Sequence, residues 1–288
     1  MRAKKWAMVL WILFSTLGIV YAGSPVWEVS NGTTRLFIGG TIHVLGQNDY
    51  PLPPAFDRAY KNSQTLVFET DIAQTQDPEF AKTLMGQMVY TDNKNLKTLL
   101  TPKTFDDLAR FAGERGIPME VLTPFKPGMV MVFLTLAEIE RLGVAGIGVD
   151  EFYFKKATAD QRQMKFLEPP MDQIQFLAKI GEGKENQMIA YILEDIGKLP
   201  DLLPIMKKAW RSGNNELMYQ QTLAPLKKEY PDLYQTIMVK RNRAWLPVIQ
   251  KMMTTPEVEF ILVGTAHLAG DQGLISLLEK KGYKAINQ

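Results

Sequence analysis

Residues 258–267, Val-Glu-Phe-Ile-Leu-Val-Gly-Thr-Ala-His, join an apolar β-strand pattern to a turn that ends in a histidine. The segment 33–43, near the other end of the chain, has the same form and ends in Gly-Thr-Ile-His. His43 and His267 are the only histidines in the sequence. Glycine permits a tight turn, and sites collect beyond the carboxyl ends of strands in open sheets. We therefore expect both histidines to serve one site at the edge of one sheet.

The remaining pattern predicts an α/β (α+β) fold in which the N- and C-terminal segments form a central sheet. The segment of about 78–253 is mostly helical by its periodicity and lies over that sheet, with helix starts expected at Thr101-Pro102 and Thr123-Pro124. The other expected elements are, in chain order, a hairpin turning at Asn31-Gly32, a helix at 54–62, strands at 65–69 and 163–167, a helix at 270–281 and a strand at 283–286.

The first 22 residues have the layout of a secretory signal peptide. Three basic residues precede an apolar stretch at 6–21, and small residues follow from Ala22, where cleavage is expected. An uncleaved membrane anchor is the alternative, because the apolar run is long for a signal core and short for a bilayer span. The sequence contains no cysteine, which excludes a lipobox and a disulfide framework. We expect residues 23–288 to form one exported domain, periplasmic or secreted.

Charge argues against two classes of partner. Removal of the signal peptide takes away three basic residues and changes the formal net charge from +2 to −1. No basic surplus remains for binding nucleic acid or anionic lipid. A membrane contact is expected only through the N-terminal segment, if that segment is retained. The expected partner is a peptide or a small-molecule substrate.

A carboxylate that joins the two histidines would complete a metal site. Glu69 is the best candidate, since it ends an apolar strand pattern and a buried charge there requires a partner. Two histidines and one carboxylate with open positions can hold Mn, Co or Zn and lower the pKa of a bound water for hydrolysis. The alternatives are an edge carboxylate in water for Glu69, and ordinary core or surface roles for His43 and His267.

Other motifs are absent or ambiguous. The sequence contains no His-Glu-x-x-His helix, no Gly-x-Ser-x-Gly elbow and no Walker loop. The glycine-rich segment 143–148 does not follow a strand pattern, so we interpret it as a loop between helices and not as a phosphate cradle. Asp150 and Glu151, directly after it, either face the site or cap the following helix.

Five segments together resemble the TraB/GumN family. They are the Gly-x-x-His of His43, the strand end Phe68-Glu69-Thr70, the loop 148–153, Arg241-Asn242, and the segment 263–270 around His267. The resemblance implies a fold related to the TIKI proteins, which are metal-dependent proteases, and more distantly to the erythromycin esterase and ChaN-like groups. It also implies that His43 and His267 are the paired histidines, Glu69 the carboxylate and Arg241 the cation that faces them. Glu168 resembles a further family acid.

Two classes of function follow. In the first, the protein is an exported metal-dependent hydrolase in which His43, Glu69 and His267 hold the metal and Arg241 stabilises the oxyanion of a peptide or ester. A metal-free variant has His43 as general base with Glu69 orienting it. In the second, the protein binds without catalysis and sequesters a peptide, glycan or haem-like ligand.

Overall fold

The computed structural model describes residues 23–75, 77–144 and 146–288. The predicted signal peptide lies outside the described residues. The described strands are β1 Val26–Ser30, β2 Arg35–Thr41, β3 Thr65–Phe68, β4 Gln163–Phe166, β5 Glu259–Gly264 and β6 Lys284–Asn287. Every strand that the sequence predicts is present, with ends that differ by one or two residues.

In the part of the chain that the structure describes, these strands form one sheet in the order β4-β3-β5-β2-β1-β6. The four strands β4, β3, β5 and β2 are parallel, whereas β1 and β6 add two antiparallel neighbours at one side. The C-terminal strand β5 lies between β2 and β3, so the two ends of the chain do share one sheet. The carboxyl ends of the parallel strands meet at one edge.

Helices dominate the segment between β3 and β5, as the sequence predicts. They include two π-helical turns at Tyr219–Leu223 and Gln235–Val239, and 3₁₀ turns lie at Gln47–Asp49 and Thr265–Leu268. No helix of the described residues is long and apolar enough to cross a membrane. The α-helices are α1 Pro54–Lys61, α2 Ile72–Thr75, α3 Pro78–Met88, α4 Leu96–Leu99, α5 Pro102–Gly113, α6 Met119–Leu122, α7 Pro127–Arg141, α8 Val149–Ala159, α9 Pro170–Lys179, α10 Glu185–Arg211, α11 Asn215–Met218, α12 Ala224–Glu229, α13 Pro231–Tyr234, α14 Lys240–Met252 and α15 Leu274–Lys280.

Of the two predicted helix starts, one is confirmed and one is wrong. Thr101 caps α5, because its hydroxyl accepts a hydrogen bond from the N–H of Thr104 at 3.3 Å. Thr123 instead ends α6, and its hydroxyl donates to the carbonyl of Met119 at 2.6 Å. Pro127, and not Pro124, occupies the first turn of the next helix. Thr123-Pro124 and Lys126-Pro127 both have the local pattern of a helix start, and the packing around them decides which one begins the helix.

Both faces of the sheet are covered by apolar side chains. Phe260 and Leu262 point into a core with Trp210, whereas Ile261 and Val263 point into a core with Trp245 on the other face. This alternation follows from the two-residue period of a strand. The burial of each such side chain contributes about 1.5–3 kcal/mol to the free energy of folding. A third apolar cluster holds the helical middle together.

Trp210 fastens the helical middle to the sheet at the edge where the histidines lie. Its indole N–H donates to the carbonyl of Gly40 at 2.7 Å, and its side chain is only 1% exposed. A Gly40 carbonyl without this donor would be buried and unpaired, which is costly. The contact therefore fixes the end of β2, three residues before His43.

We predict that Trp210→Phe lowers the free energy of unfolding by about 2–4 kcal/mol, because a buried hydrogen bond and part of the ring volume are lost. Urea unfolding followed by circular dichroism measures this change. Trp27→Phe is the control, since Trp27 is also buried but no bond of its indole N–H is recorded among the described residues. Equal losses in the two variants would show that the Gly40 contact contributes nothing.

Candidate functional site

The residues that the sequence predicts for the site gather at the carboxyl edge of the parallel strands. His43 follows β2, Glu69 follows β3, Glu168 follows β4, and His267 lies in the 3₁₀ turn after β5. Strand pairing continues into the site, because the N–H of Glu168 donates to the carbonyl of Glu69 at 2.9 Å. Arg241, at the start of α14, reaches the same edge from the helical layer.

Arg241 bonds three of these side chains. Its Nη2 donates to Glu69 Oε2 at 2.6 Å and to Glu168 Oε1 at 2.6 Å, and its Nη1 donates to His267 Nε2 at 3.0 Å. Burial lowers the pKa of the guanidinium, but the two carboxylates outweigh this effect and raise it. Trp245 supports both Arg241 and Glu168. Its indole N–H donates to Glu168 Oε2 at 2.9 Å, and the centre of its ring lies 4.6 Å from Arg241 Cζ. The guanidinium is thus fixed in both position and charge.

His267 is held as a neutral imidazole. Its Nδ1 donates to Asn242 Oδ1 at 2.6 Å, while its Nε2 accepts from Arg241. Burial, together with the positive charges of Arg241 and His43, lowers the pKa of His267 to about 3, although Glu69 acts in the opposite direction. This histidine therefore accepts a bond from Arg241 and carries no charge at neutral pH.

His43 has the opposite electrostatic character. Its Nδ1 donates to Asp150 Oδ2 at 3.0 Å, and 65% of its side chain is exposed at the mouth of a cleft. Desolvation by the cleft walls lowers the pKa of His43. The charge and hydrogen bond of Asp150, together with the charge of Glu69, outweigh this effect and raise the pKa to about 9. The ring is a cation at neutral pH, and its Nε2 has no recorded partner among the described residues.

The contact between His43 and Asp150 depends on a close backbone approach. The N–H of Val149 donates to the carbonyl of Ile42 at 3.0 Å, which docks the start of α8 on the residues after β2. A Cβ atom at Gly148 would lie 2.3 Å from the carbonyl oxygen of His43, so only glycine permits this distance. The described residues of the glycine-rich segment, 143–144 and 146–148, lie between α7 and α8 outside any helix, as predicted. The close approach at Gly148 places Asp150 beside His43, so Asp150 faces the site.

Glu69 stays ionised to low pH. Its Oε1 accepts from the N–H of Gly264 at 2.6 Å, and its Oε2 accepts from Arg241. Burial raises the pKa of Glu69, but His267, which is cationic in the acidic range where Glu69 titrates, together with Arg241 and His43, lowers it to about 2. A Cβ atom at Gly264 would lie 3.3 Å from Glu69 Oε1, 3.7 Å from His267 Cδ2 and 3.8 Å from His43 Nε2. The two histidines and the carboxylate thus converge on this glycine.

His43, Glu69 and Arg241 line a cleft of about 410 Å³. Its apolar side is lined by Ile72, Phe176 and Leu177, and its polar side includes His43 and Arg241. A neighbouring cavity of about 460 Å³ shares Phe176 but is lined by none of the predicted site residues. The smaller of these two cavities is therefore the one that His43, Glu69 and Arg241 line.

The donor set does not fit a divalent metal as it is arranged here. Both nitrogens of His267 and both oxygens of Glu69 already bond neighbouring groups, and the cationic guanidinium of Arg241 lies between these two side chains. Among the ring nitrogens of the two histidines, only Nε2 of His43 has no recorded partner in the described part of the chain. Among the residues that the structure describes, no group of three or more His, Cys, Asp and Glu side chains is placed to hold a metal ion.

The family model of the TraB/PrgY/gumN family matches residues 25–286. The chain belongs to this family. Among curated proteins it is similar to the uncharacterized protein YbaP of Escherichia coli (strain K12), with 23% identity over 251 residues that cover 86% of this chain and 89% of that protein. YbaP of Shigella flexneri is 24% identical over the same coverage. No solved structure matches the chain with significance.

The two histidines should titrate far apart. We predict that, in proton NMR of the imidazole C–H signals, His43 titrates with a midpoint near pH 9, because Asp150 stabilises its cation. His267 should stay neutral down to pH 4, since its pKa is about 3. His43→Gln assigns the signals by removing one of them. Two midpoints near the ordinary value of 6.5 would contradict the described geometry.

Gly148→Ala should uncouple His43 from Asp150. We predict a loss of about 1–3 kcal/mol in the free energy of unfolding, because the new methyl group overlaps the backbone of His43. The pKa of His43 should fall as α8 moves away. Gly86→Ala is the control, since no atom lies within 4 Å of its Cβ position in helix α3, and it should stabilise the protein by up to about 1 kcal/mol.

Proposed function

We propose that this member of the TraB/PrgY/gumN family is an exported hydrolase that cleaves a peptide or ester bond. The observation that carries the proposal is the arrangement of His43. Its Nδ1 is held by Asp150, its Nε2 has no recorded partner in the described part of the chain, and the residue lines the same cleft as Arg241. A histidine with one nitrogen held by a carboxylate and the other free is the arrangement of a general acid–base group. Asp150, and not Glu69, holds the ring in this mechanism.

In the proposed reaction, the neutral form of His43 takes a proton at Nε2 from a water molecule as that water attacks the carbonyl carbon. Asp150 stabilises the imidazolium that results. The imidazolium then returns the proton to the leaving nitrogen or oxygen as the bond from carbon breaks. Water thus supplies the hydroxyl of the product acid and the proton of the product amine or alcohol.

Arg241 is the group that stabilises the oxyanion in this proposal. Its recorded bonds use the Nε–H, both N–H groups of Nη2 and one N–H of Nη1. One donor of Nη1 has no recorded partner in the described part of the chain, and it is available to a substrate carbonyl oxygen. Glu69, Glu168 and His267 hold the guanidinium in place, so the donor does not have to reorganise during the reaction.

The test is a hydrolysis screen of residues 23–288 against internally quenched peptides and matched ester-containing peptides. We predict that His43→Gln lowers kcat/KM about 100-fold or more, because the proton-transfer group is lost. Arg241→Lys should lower it by about 10²–10³-fold, because lysine cannot make the same set of bonds. Arg243→Lys is the matched control on the same helix. Melting temperatures show whether each variant is folded.

The pH profile is a second test of the same variants. In the wild type, kcat/KM should rise with pH and level off above about 9, because the base form of His43 becomes populated there. Asp150→Asn should move this inflection to lower pH, since the carboxylate that stabilises the cation is gone. A wild-type profile without an inflection between pH 6 and 10 would contradict the role given to His43.

Metal analysis separates the proposal from the metal-dependent mechanism. We expect activity to survive dialysis against a chelator. Stoichiometric Mn, Co or Zn that is lost in His43→Ala/His267→Ala, with activity that requires it, would overturn the metal-free mechanism in favour of a metal-dependent one. Saturable binding of a peptide, glycan or haem without any turnover would support a sequestering protein instead.

A further inference from the structure

The larger of the two cavities described above has no part in the proposed reaction. Its volume of about 460 Å³ is within the usual range for small-molecule binding pockets. Two stretches of chain form its walls. One runs from the end of α9 to the start of α10, at 176–188, and the other runs from the end of α12 to the start of α14, at 229–240.

The interior of this cavity is apolar. Met188 and Ile180 are 7% and 4% exposed, and both belong to the apolar cluster that holds the helical middle together. Phe176 and Leu233 pack against the same cluster while they line the cavity. Apolar surface gains free energy when hydrocarbon replaces the water beside it, so these walls favour an apolar occupant.

Charged side chains also line the cavity, but they do not select a charge. A site for an anion or a cation would carry an excess of the opposite sign. Here the two signs balance, and Lys184 and Asp232 pair with each other at 3.2 Å, with 64% and 88% of their side chains exposed. The apolar walls therefore decide which molecule binds. The charged residues are the lysines Lys179, Lys184 and Lys240 and the acids Glu182, Glu229 and Asp232.

The cavity lies next to the cleft that His43 lines. Phe176 lines both, and the next residue of α9, Leu177, lines the cleft but not the cavity. The same boundary occurs on α14, where Lys240 lines the cavity and Arg241 lines the cleft. Two helices thus place the boundary between successive residues. A chain attached to a carbonyl group in the cleft has the apolar cavity directly beyond Phe176.

We infer that this cavity is the subsite for a straight, uncharged hydrocarbon chain, and that the substrate of the proposed hydrolase is an ester or amide of an aliphatic acid. The second half of the inference rests on the proposed function, whereas the first half does not. The acyl chain lies in the cavity, the scissile carbonyl lies in the cleft, and Phe176 contacts the chain between them. The residues of the cavity bind the chain and take no part in bond cleavage.

Binding of alcohols tests the subsite without any hydrolysis. Straight-chain alcohols from butanol to decanol are added to the purified protein. NMR follows the methyl signal of Met188 for the cavity and the imidazole signal of His43 for the cleft, and Met188→Leu identifies the methionine signal. We expect the Met188 signal to shift. The dissociation constant should fall roughly three- to fourfold with each added methylene until the cavity is full.

Matched head groups test the absence of charge selection. Octanol, octanoate and octylammonium should bind within about fivefold of one another, because lysines and acids balance around the cavity. A larger preference for either charged head group would overturn the uncharged chain as the occupant. The inference would also be overturned if the Met188 signal did not shift with any alcohol, or if only the His43 signal responded.

A blocking variant connects the cavity to the reaction. The substrates are p-nitrophenyl esters from acetate to decanoate, kept below the concentration at which micelles form, and His43→Gln gives the background rate. In the wild type, kcat/KM should rise with chain length. Gln187→Trp adds a large ring at an exposed position of α10 that lines the cavity, and it should lower the octanoate-to-acetate ratio of kcat/KM by about tenfold or more. Ala190→Trp, exposed on the same helix but outside the cavity, should keep the wild-type ratio.

The outcomes separate this inference from the proposed function. Alcohol binding at Met188 in a protein that hydrolyses no ester or peptide would retain the subsite and overturn the hydrolase. Hydrolysis without a shift of the Met188 signal and without dependence on chain length would retain the hydrolase and overturn the subsite. Binding at Met188 together with hydrolysis that is indifferent to chain length would overturn the placement of the acyl chain in this cavity.

Discussion

The guanidinium of Arg241 is the group on which the rest of the site depends. It bonds the residues that follow three adjacent parallel strands, Glu69, Glu168 and His267, and so ties the helical layer to the carboxyl edge of the sheet. A partly buried cation is tolerated only where it is well paired, and here two carboxylates and a neutral imidazole satisfy it. The same bonds give His267 a structural role that its motif alone would not indicate.

The two histidines share a sequence motif but differ in chemistry, and their surroundings explain why. His267 is enclosed between Asn242 and Arg241 and stays neutral, whereas His43 lies at the cleft mouth beside Asp150 and is cationic. Pairs of titratable groups with pKa values pushed apart are a frequent mark of acid–base sites. The proposed division of labour, with one histidine moving protons and the other holding the cation, follows from this difference.

The sheet and most of the site were predictable because their signals are local. A strand has a two-residue period, and His43, Glu69 and His267 each come directly after such a pattern. The role of Asp150 was not predictable, since an acid after a glycine-rich loop has the same local pattern whether it caps a helix or faces a site. The contact of Gly148 with the backbone of His43 decides between them, and it joins residues about a hundred positions apart.

The order of the strands has a consequence for how the protein is made. The strand β5 occupies the middle of the sheet, yet Glu259–Gly264 come later in the chain than the other three parallel strands. Before they are synthesised, β2 and β3 have no common neighbour in the sheet. His267 is also absent at that stage, as is Gly264, whose N–H bonds Glu69. Long-range pairing of this kind forms late and slowly. The nascent chain therefore has no central sheet until Glu259–Gly264 have been synthesised.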